Sequence, residues 1–193
     1  MSARDRILER VRAVLPSRED AAHPGPFLGW RAGPLASDVP GWFSEMFTKA
    51  GGEVVRVGSP GLASAWLADF AAGFGTASVG ATLPADLIPQ LAIAPPEVAE
   101  LGVSMGRGAV AETGSLILDA RDGRRTQLLP PTHVVLVRVE DVHATLADAL
   151  DHVSHDLPSA VGLHSGPSKS ADIGQITVTG VHGPGRVLAL IVG

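Results

Sequence analysis

One near-continuous apolar strand, Val134 to Val139, set in an alternation of helical and β-branched segments, does most to limit the folds open to this chain. A strand without polar alternation must be covered on both faces, which is the situation of strands in a parallel sheet between helical layers. The neighbouring segments agree. Trp42 to Ala50 predicts a helix stopped at Gly51-Gly52, and Glu53 to Val57 a strand of mainly β-branched residues. Leu62 to Ala72 predicts a second helix, Thr76 to Ala81 and Leu91 to Ala94 short strands, and Asp141 the cap of a helix reaching about His152. The expected class is α/β, a mostly parallel sheet flanked by helices.

Between these, Ser115 to Asp119 and Thr126 to Leu129 predict a β-hairpin turning at Asp122-Gly123. A polar loop from His164 to Asp172 precedes a strand from Gln175 to Val181, the turn His182 to Gly185, and a closing strand from Val187 to Val192. At the other end Ser2 caps a helix with Ile7, Leu8, Val11, Val14 and Leu15 on one side, and Pro16 stops it. From there to Gly41 proline and glycine recur too often for regular structure. Phe27, Leu28 and Trp30 give this arm an apolar side to lay on the domain's own flank or on a partner subunit, so self-association stays open. Residues 1–50 therefore read as helix and arm, and 51–193 as the body of one structural domain.

Composition removes several function classes. The net charge is −5 and no basic stretch interleaves with aromatics, which argues against nucleic acid as a partner. There is no cysteine, so disulfides, thiolate zinc sites, cysteine nucleophiles and a self-held iron–sulfur cluster are all excluded. The first residues mix charges where a signal peptide is apolar, and no eighteen apolar residues run together, so a cytoplasmic protein without membrane attachment is expected.

Several patterns resemble catalytic motifs and fail on context. Gly102-Val103-Ser104-Met105-Gly106 has nucleophile-elbow spacing, but Glu97 to Glu100 reads as helical rather than extended, and Arg107-Gly108 opens a helix badly. Gly106 to Ala111 fits a loose dinucleotide fingerprint without a feeding strand or a following acid. His152 and His155 share a helical face, yet a metal needs a third ligand, and His143 or Asp156 makes an unconvincing set; no metal and no cofactor are expected. Arg121, Arg124 and Arg125 crowd the expected hairpin tip, where a phosphate can bind but solvated charge is also ordinary.

Two polar, glycine-bearing loops beside apolar strands carry more. Ala111-Glu112-Thr113-Gly114-Ser115 puts an acid, two hydroxyls and a glycine at the mouth of a strand. His164-Ser165-Gly166-Pro167-Ser168-Lys169-Ser170-Ala171-Asp172 offers hydroxyls, exposed amides and a lysine, a combination suited to a carboxylate or phosphate. Asp172 can instead cap the following turn, and a capped polar loop needs no ligand.

With Pro131-Thr132-His133-Val134 and Gly180-Val181-His182-Gly183-Pro184, these loops resemble, in order, the signature blocks of the LUD (lactate-utilisation) domain family, especially its protein C type. The likeness runs from about Gly51 to Gly193. Gly174 stands where the family often has an acid, so no role for that acid carries over, and Ser170 stands where threonine is common. The resemblance implies a fold similar to the ribose-5-phosphate isomerase, glucosamine-6-phosphate deaminase and CoA-transferase group. It also implies association with oxidation of L-lactate to pyruvate beside a cysteine-rich partner and an iron–sulfur partner, and the absence of cysteine fits the remaining component.

On that reading the Glu112 to Ser115 block faces the Gly166 to Asp172 loop across one cleft at the carboxyl ends of the strands and binds a small anionic metabolite. Glu112 is the candidate acid or base, Lys169 the countercharge, and Ser115, Ser168 and Ser170 the hydrogen-bond donors. Thr113, Gly114, Gly166 and Asp172 shape the loops, and His133 and His182 are secondary candidates. Two alternatives stand beside it, an independent enzyme acting on a phosphorylated or CoA-linked metabolite and a scaffold subunit without chemistry.

Overall fold

The structure, a computed structural model, describes residues 2–14, 37–171 and 177–193. It divides into two compact units, Met1–Gly33 and Pro34–Gly193. In the first, helix α1 (Ala3–Val14) begins as expected: Ser2 Oγ accepts from the Asp5 amide at 3.1 Å, while the Asp5 carboxylate accepts from the Ser2 amide at 2.8 Å. Leu15, Phe27, Leu28 and Trp30 lie outside the described residues.

The second unit opens with α2 (Val39–Lys49), β1 (Glu53–Val57), α3 (Pro60–Ala71), β2 (Thr76–Val79) and β3 (Ala92–Ile93). Both helices start two to three residues before the sequence reading. Their prolines, Pro40 and Pro60, sit in first turns, where a missing N–H costs nothing, behind the caps Asp38 and Ser59; on the sequence alone Pro40 counts toward the irregular arm. Then come β4 (Leu101–Met105), β5 (Gly108–Val110), β6 (Ser115–Asp119), α4 (Arg124–Leu128), β7 (Thr132–Arg138), β8 (Val142–His143) and α5 (Leu146–Ser154). β9 (Val161–His164), β10 (Lys169–Ala171), β11 (Thr177–Thr179) and β12 (Arg186–Val192) complete the order.

Six strands form a wholly parallel sheet in the order β1-β12-β7-β4-β2-β3. Alternate residues of the central strands explain their unbroken apolar character. Val134 and Leu136 of β7, with Leu188 and Leu190 of β12, pack beneath Ala63, Leu67 and Ala71 of α3. Val135, Val137, Val187, Ala189 and Ile191 point the other way, onto Phe43 and Phe47 of α2 and onto Leu116 and Leu118 of β6. β6 belongs to a second sheet, β8-β5-β6-β9, and its remaining face puts Ile117 against Ala149 and Val153 of α5. The α/β class with helices on a parallel sheet is thus the observed one.

Three local expectations need correction. No hairpin forms at Asp122-Gly123: Gly123 (φ +91°) leads into α4, because β5 and β9 already occupy both edges of β6 and no edge remains for residues 126–129. Asp141 caps nothing and sits in a 3-10 turn before β8, which pairs with β5; α5 starts at Leu146 behind Thr145, whose hydroxyl accepts from the Asp148 amide at 3.2 Å. The Gly102 to Gly106 pattern, read without a strand, lies on β4 in the middle of the sheet. A Cβ at Gly102 would come within 2.7 Å of the Thr126 carbonyl oxygen, so its glycine serves the approach of α4.

Candidate functional site

The last turn of α2 organises the polar loops. Helix α2 ends at Ala50, and Gly51 (φ +93°) turns the chain into β1. Gly114 (φ +57°) lets its loop lie directly on this turn: a Cβ there would be 2.6 Å from the Met46 carbonyl carbon. Gly166 (φ +77°) does the same from the other side, its Cβ position 2.7 Å from the Ala50 carbonyl oxygen. The two distant loops therefore meet. Thr113 Oγ1 donates to Ser115 Oγ at 2.8 Å, and Ser115 Oγ shares a 2.7 Å hydrogen bond with Ser165 Oγ. Ser115 is 3% exposed, so this seam closes from inside.

The third block joins them. Antiparallel β10 and β11 set Lys169 opposite Thr179, the Ser168 amide donates to the Pro184 carbonyl at 2.9 Å, and the Gly180 amide donates to the Ser168 carbonyl at 2.9 Å. Lys169 Nζ donates to the Ala50 carbonyl, a cation placed on the negative end of the α2 dipole. Ser168 and Ser170 are half-buried, and His182 is exposed. Asp172 and Gly174 lie outside the described residues.

This assembly is at the amino ends of the parallel strands, not the carboxyl ends. Gly52 leads into β1, Pro131 into β7 and Gly185 into β12, and the Arg186 amide donates to the Pro131 carbonyl at 3.2 Å. The sequence offers no signal for which edge a loop occupies until strand order is known. Two expected residues are turned elsewhere. Glu112 Oε1 accepts from the Leu146 amide at 2.7 Å, so the candidate acid caps the N-terminus of α5. His133 is 1% exposed, inside the sheet, with Nε2 2.9 Å from Ser104 Oγ. Burial, with the nearby His164 as a lesser cause, pushes its pKa down to about 3, leaving a neutral imidazole; burial lowers His164 as well.

The sequence reading missed the opposite edge. There the ends of β4 and β7 border a cavity of about 410 Å³ lined by Met105, Arg107, Arg121, Arg138 and His152, among others. Two of its lining residues, Thr82 and Met105, are held from behind by Asp122, 2% exposed, whose carboxylate accepts from the Thr82 amide (2.9 Å), the Thr82 hydroxyl (2.8 Å) and the Met105 amide (3.0 Å). A Cβ at Gly80 would stand 2.1 Å from Asp122 Oδ2, so the turn after β2 closes over the carboxylate only with glycine. Asp156 accepts from Arg107 at 3.1 Å and from Arg121 at 2.9 Å, contacts that lower its pKa to about 2, with Arg121 the larger cause. A signal existed: Arg138 is the first charge along the buried strand β7 and stands at its carboxyl end, where strand ends commonly meet ligands. Arg125, one of the three arginines at the expected hairpin tip, pairs with Glu97. Among the described residues no group of three or more His, Asp and Glu is placed to hold a metal, and no helix is long and apolar enough to cross a membrane.

A wholly parallel six-stranded sheet, covered by a helix on one face and by a helix and a small sheet on the other, with glycine-hinged loops sealing its amino edge, defines an α/β domain. Residues 97–192, just under half of the chain, match the family model of the LUD domain. Lactate utilization protein C 1 of Bacillus mycoides (strain KBAB4) is 36% identical over 104 residues, which is 50% of this chain and 44% of that protein. Lactate utilization protein C of Deinococcus radiodurans is 37% identical over 90 residues, 44% of this chain and 42% of that protein, and its counterpart in Bacillus subtilis (strain 168) is 32% identical over 104 residues, 50% and 43%. The match thus spans less than half the length of these relatives. The crystal structure of a DUF162 family protein from Deinococcus radiodurans superposes with a TM-score of 0.67 at 21% identity, covering 83% of this chain and all of that one, a likeness of fold.

Proposed function

We propose that this chain is the non-iron–sulfur component of a cytoplasmic L-lactate utilisation system, working beside iron–sulfur and cysteine-rich partner subunits. Relatives named for lactate utilisation support the setting. The absence of cysteine supports the division of labour, since such a chain cannot hold a cluster through thiolates. We further propose that the seam at the amino edge of the sheet holds a small carboxylate or phosphate. The observation that carries this is the Ser115 to Ser165 hydrogen bond, where the Glu112 to Ser115 block meets the stretch from His164 to Ser170. Lys169 supplies the countercharge, and Thr113, Ser168, Ser170 and the exposed His182 supply donors. Glu112, holding the start of α5, positions the Thr113 to Ser115 stretch.

Reconstitution tests the proposal. The partners with this chain should oxidise L-lactate, and leaving the chain out should abolish the activity. Lys169→Ala should weaken L-lactate binding by the isolated chain, measured by calorimetry. Undiminished oxidation without the chain overturns the functional reading, and unchanged binding by the lysine variant overturns the site.

A further inference from the structure

The cavity at the carboxyl ends of β4 and β7 is unrelated to the seam just described, and its chemistry points to a ligand of its own. A second cavity, of about 360 Å³, adjoins it and shares Thr82, Met105 and Arg138. Together they form a cleft in the size range of metabolite sites, wider than a three-carbon acid requires. Parallel strands ending at such a cleft leave backbone groups and side chains convergent on it, which is why open parallel sheets bind ligands at this edge.

The cations of the cleft differ in how they are held. Arg107 and Arg121 are tied to Asp156, and Arg107 lies 3.7 Å from Asp119, so both guanidiniums are fixed before any ligand arrives. Arg138 stands at the junction of the two cavities and makes no ion pair among the described residues. An arginine fork left open beside two neutralised ones is suited to a single carboxylate or phosphate in bidentate contact. The acids facing it set the other half of the preference. Asp141 lines the first cavity, and Asp86 and Glu140 the second. As carboxylates they only accept hydrogen bonds, so they select ligand groups that donate, and they oppose a second anionic group at that end. Met105 and Leu136 supply an apolar floor between the two ends.

We infer that this cleft is a second ligand site, taking a hydroxylated organic anion of sugar-acid or sugar-phosphate size, its anionic end on Arg138 and its hydroxyls toward Asp86, Glu140 and Asp141. The site goes beyond the lactate reading and is separable from it, because Lys169 and Arg138 lie at opposite ends of the parallel strands. Asp122 is a positioning residue here. It holds the Thr82 turn and the end of β4 and reaches the ligand only through them.

Calorimetry on the full chain with gluconate, glucose 6-phosphate, glucose and inorganic phosphate tests this. Gluconate or glucose 6-phosphate should bind at millimolar concentration or better, and which of the two binds more tightly distinguishes carboxylate from phosphate. Glucose and inorganic phosphate should bind at least roughly tenfold more weakly, each lacking one half of the recognition. Arg138→Gln, at an exposed position, should weaken the preferred anion by roughly tenfold or more with the melting temperature unchanged. Asp86→Asn should weaken it severalfold, and Lys169→Ala should leave it as it was. No binding of either hydroxylated anion, or equal binding by wild type and Arg138→Gln, overturns the inference; loss with Lys169→Ala alone would return the ligand to the amino-edge seam.

Discussion

Asp122 provides the sharpest test of how the carboxyl edge is built. Its buried carboxylate accepts three hydrogen bonds and, among the described residues, forms no salt bridge, so neutral donors alone satisfy it. In Asp122→Ala the Met105 amide loses its partner inside a partly buried pocket, while the two Thr82 donors turn toward water. The lost charged hydrogen bonds and the void together cost about 2–4 kcal/mol. For a chain of this size that lowers the melting temperature by about 5–15 °C. Gly80→Ala should cost a similar amount for the opposite reason, since its methyl group would stand 2.1 Å from Asp122 Oδ2. The double variant is decisive. Once the carboxylate is gone the alanine at 80 has room, so the double variant should be about 2 kcal/mol more stable than the sum of the two single costs predicts. Urea unfolding of the four proteins measures this, and additivity within about 0.5 kcal/mol would refute the proposed contact.

Acid should destabilise the protein through its buried histidines. His133 is neutral in the folded state with a pKa of about 3, so below its ordinary value of 6.5 the unfolded chain binds the proton first and stability falls as pH drops from 6.5 toward 3. The stability of His133→Asn, followed by urea unfolding, should fall less steeply over that window; an equal slope would mean that His143 and His164, both lowered mainly by burial, account for the effect. Gly114→Ala should lose roughly 2 kcal/mol or more, because it adds left-handed strain to a close approach on Met46. Gly61→Ala, in the first turn of α3 with nothing within 4 Å, should be neutral or slightly stabilising in the same thermal melts.

What could be read from the sequence was what periodicity and turn chemistry encode locally. β1 stood at Glu53–Val57 as expected, and the doubly covered character of β7 fixed the class, because an unbroken Val-Val-Leu-Val run has one common setting. β4 escaped notice because Gly102 is a weak strand former, placed there by the close approach of α4, and Ser104 interrupts the apolar run. The hairpin at Asp122 was a sound inference from a local turn signal, overruled by β9, which arrives from forty residues further along. The two loops touch where Ser115 meets Ser165, but the edge of the sheet they occupy depends on strand order, which no local pattern carries. Arg138 went unremarked for a related reason: a lone arginine gains meaning only from the cavity around it.

The position of β12 bears on how the molecule comes to be made. It follows every other strand in chain order, yet lies between β1 and β7. While the ribosome is still delivering residues 186–192, β1 has no partner in the large sheet, and Val54 and Val55 wait with their backbone amides and carbonyls exposed. The nascent chain thus passes through a stage in which β7, β4, β2 and β3 can assemble while β1 stands apart as an open edge. Its protection is delivered last, by the strand that closes the gap.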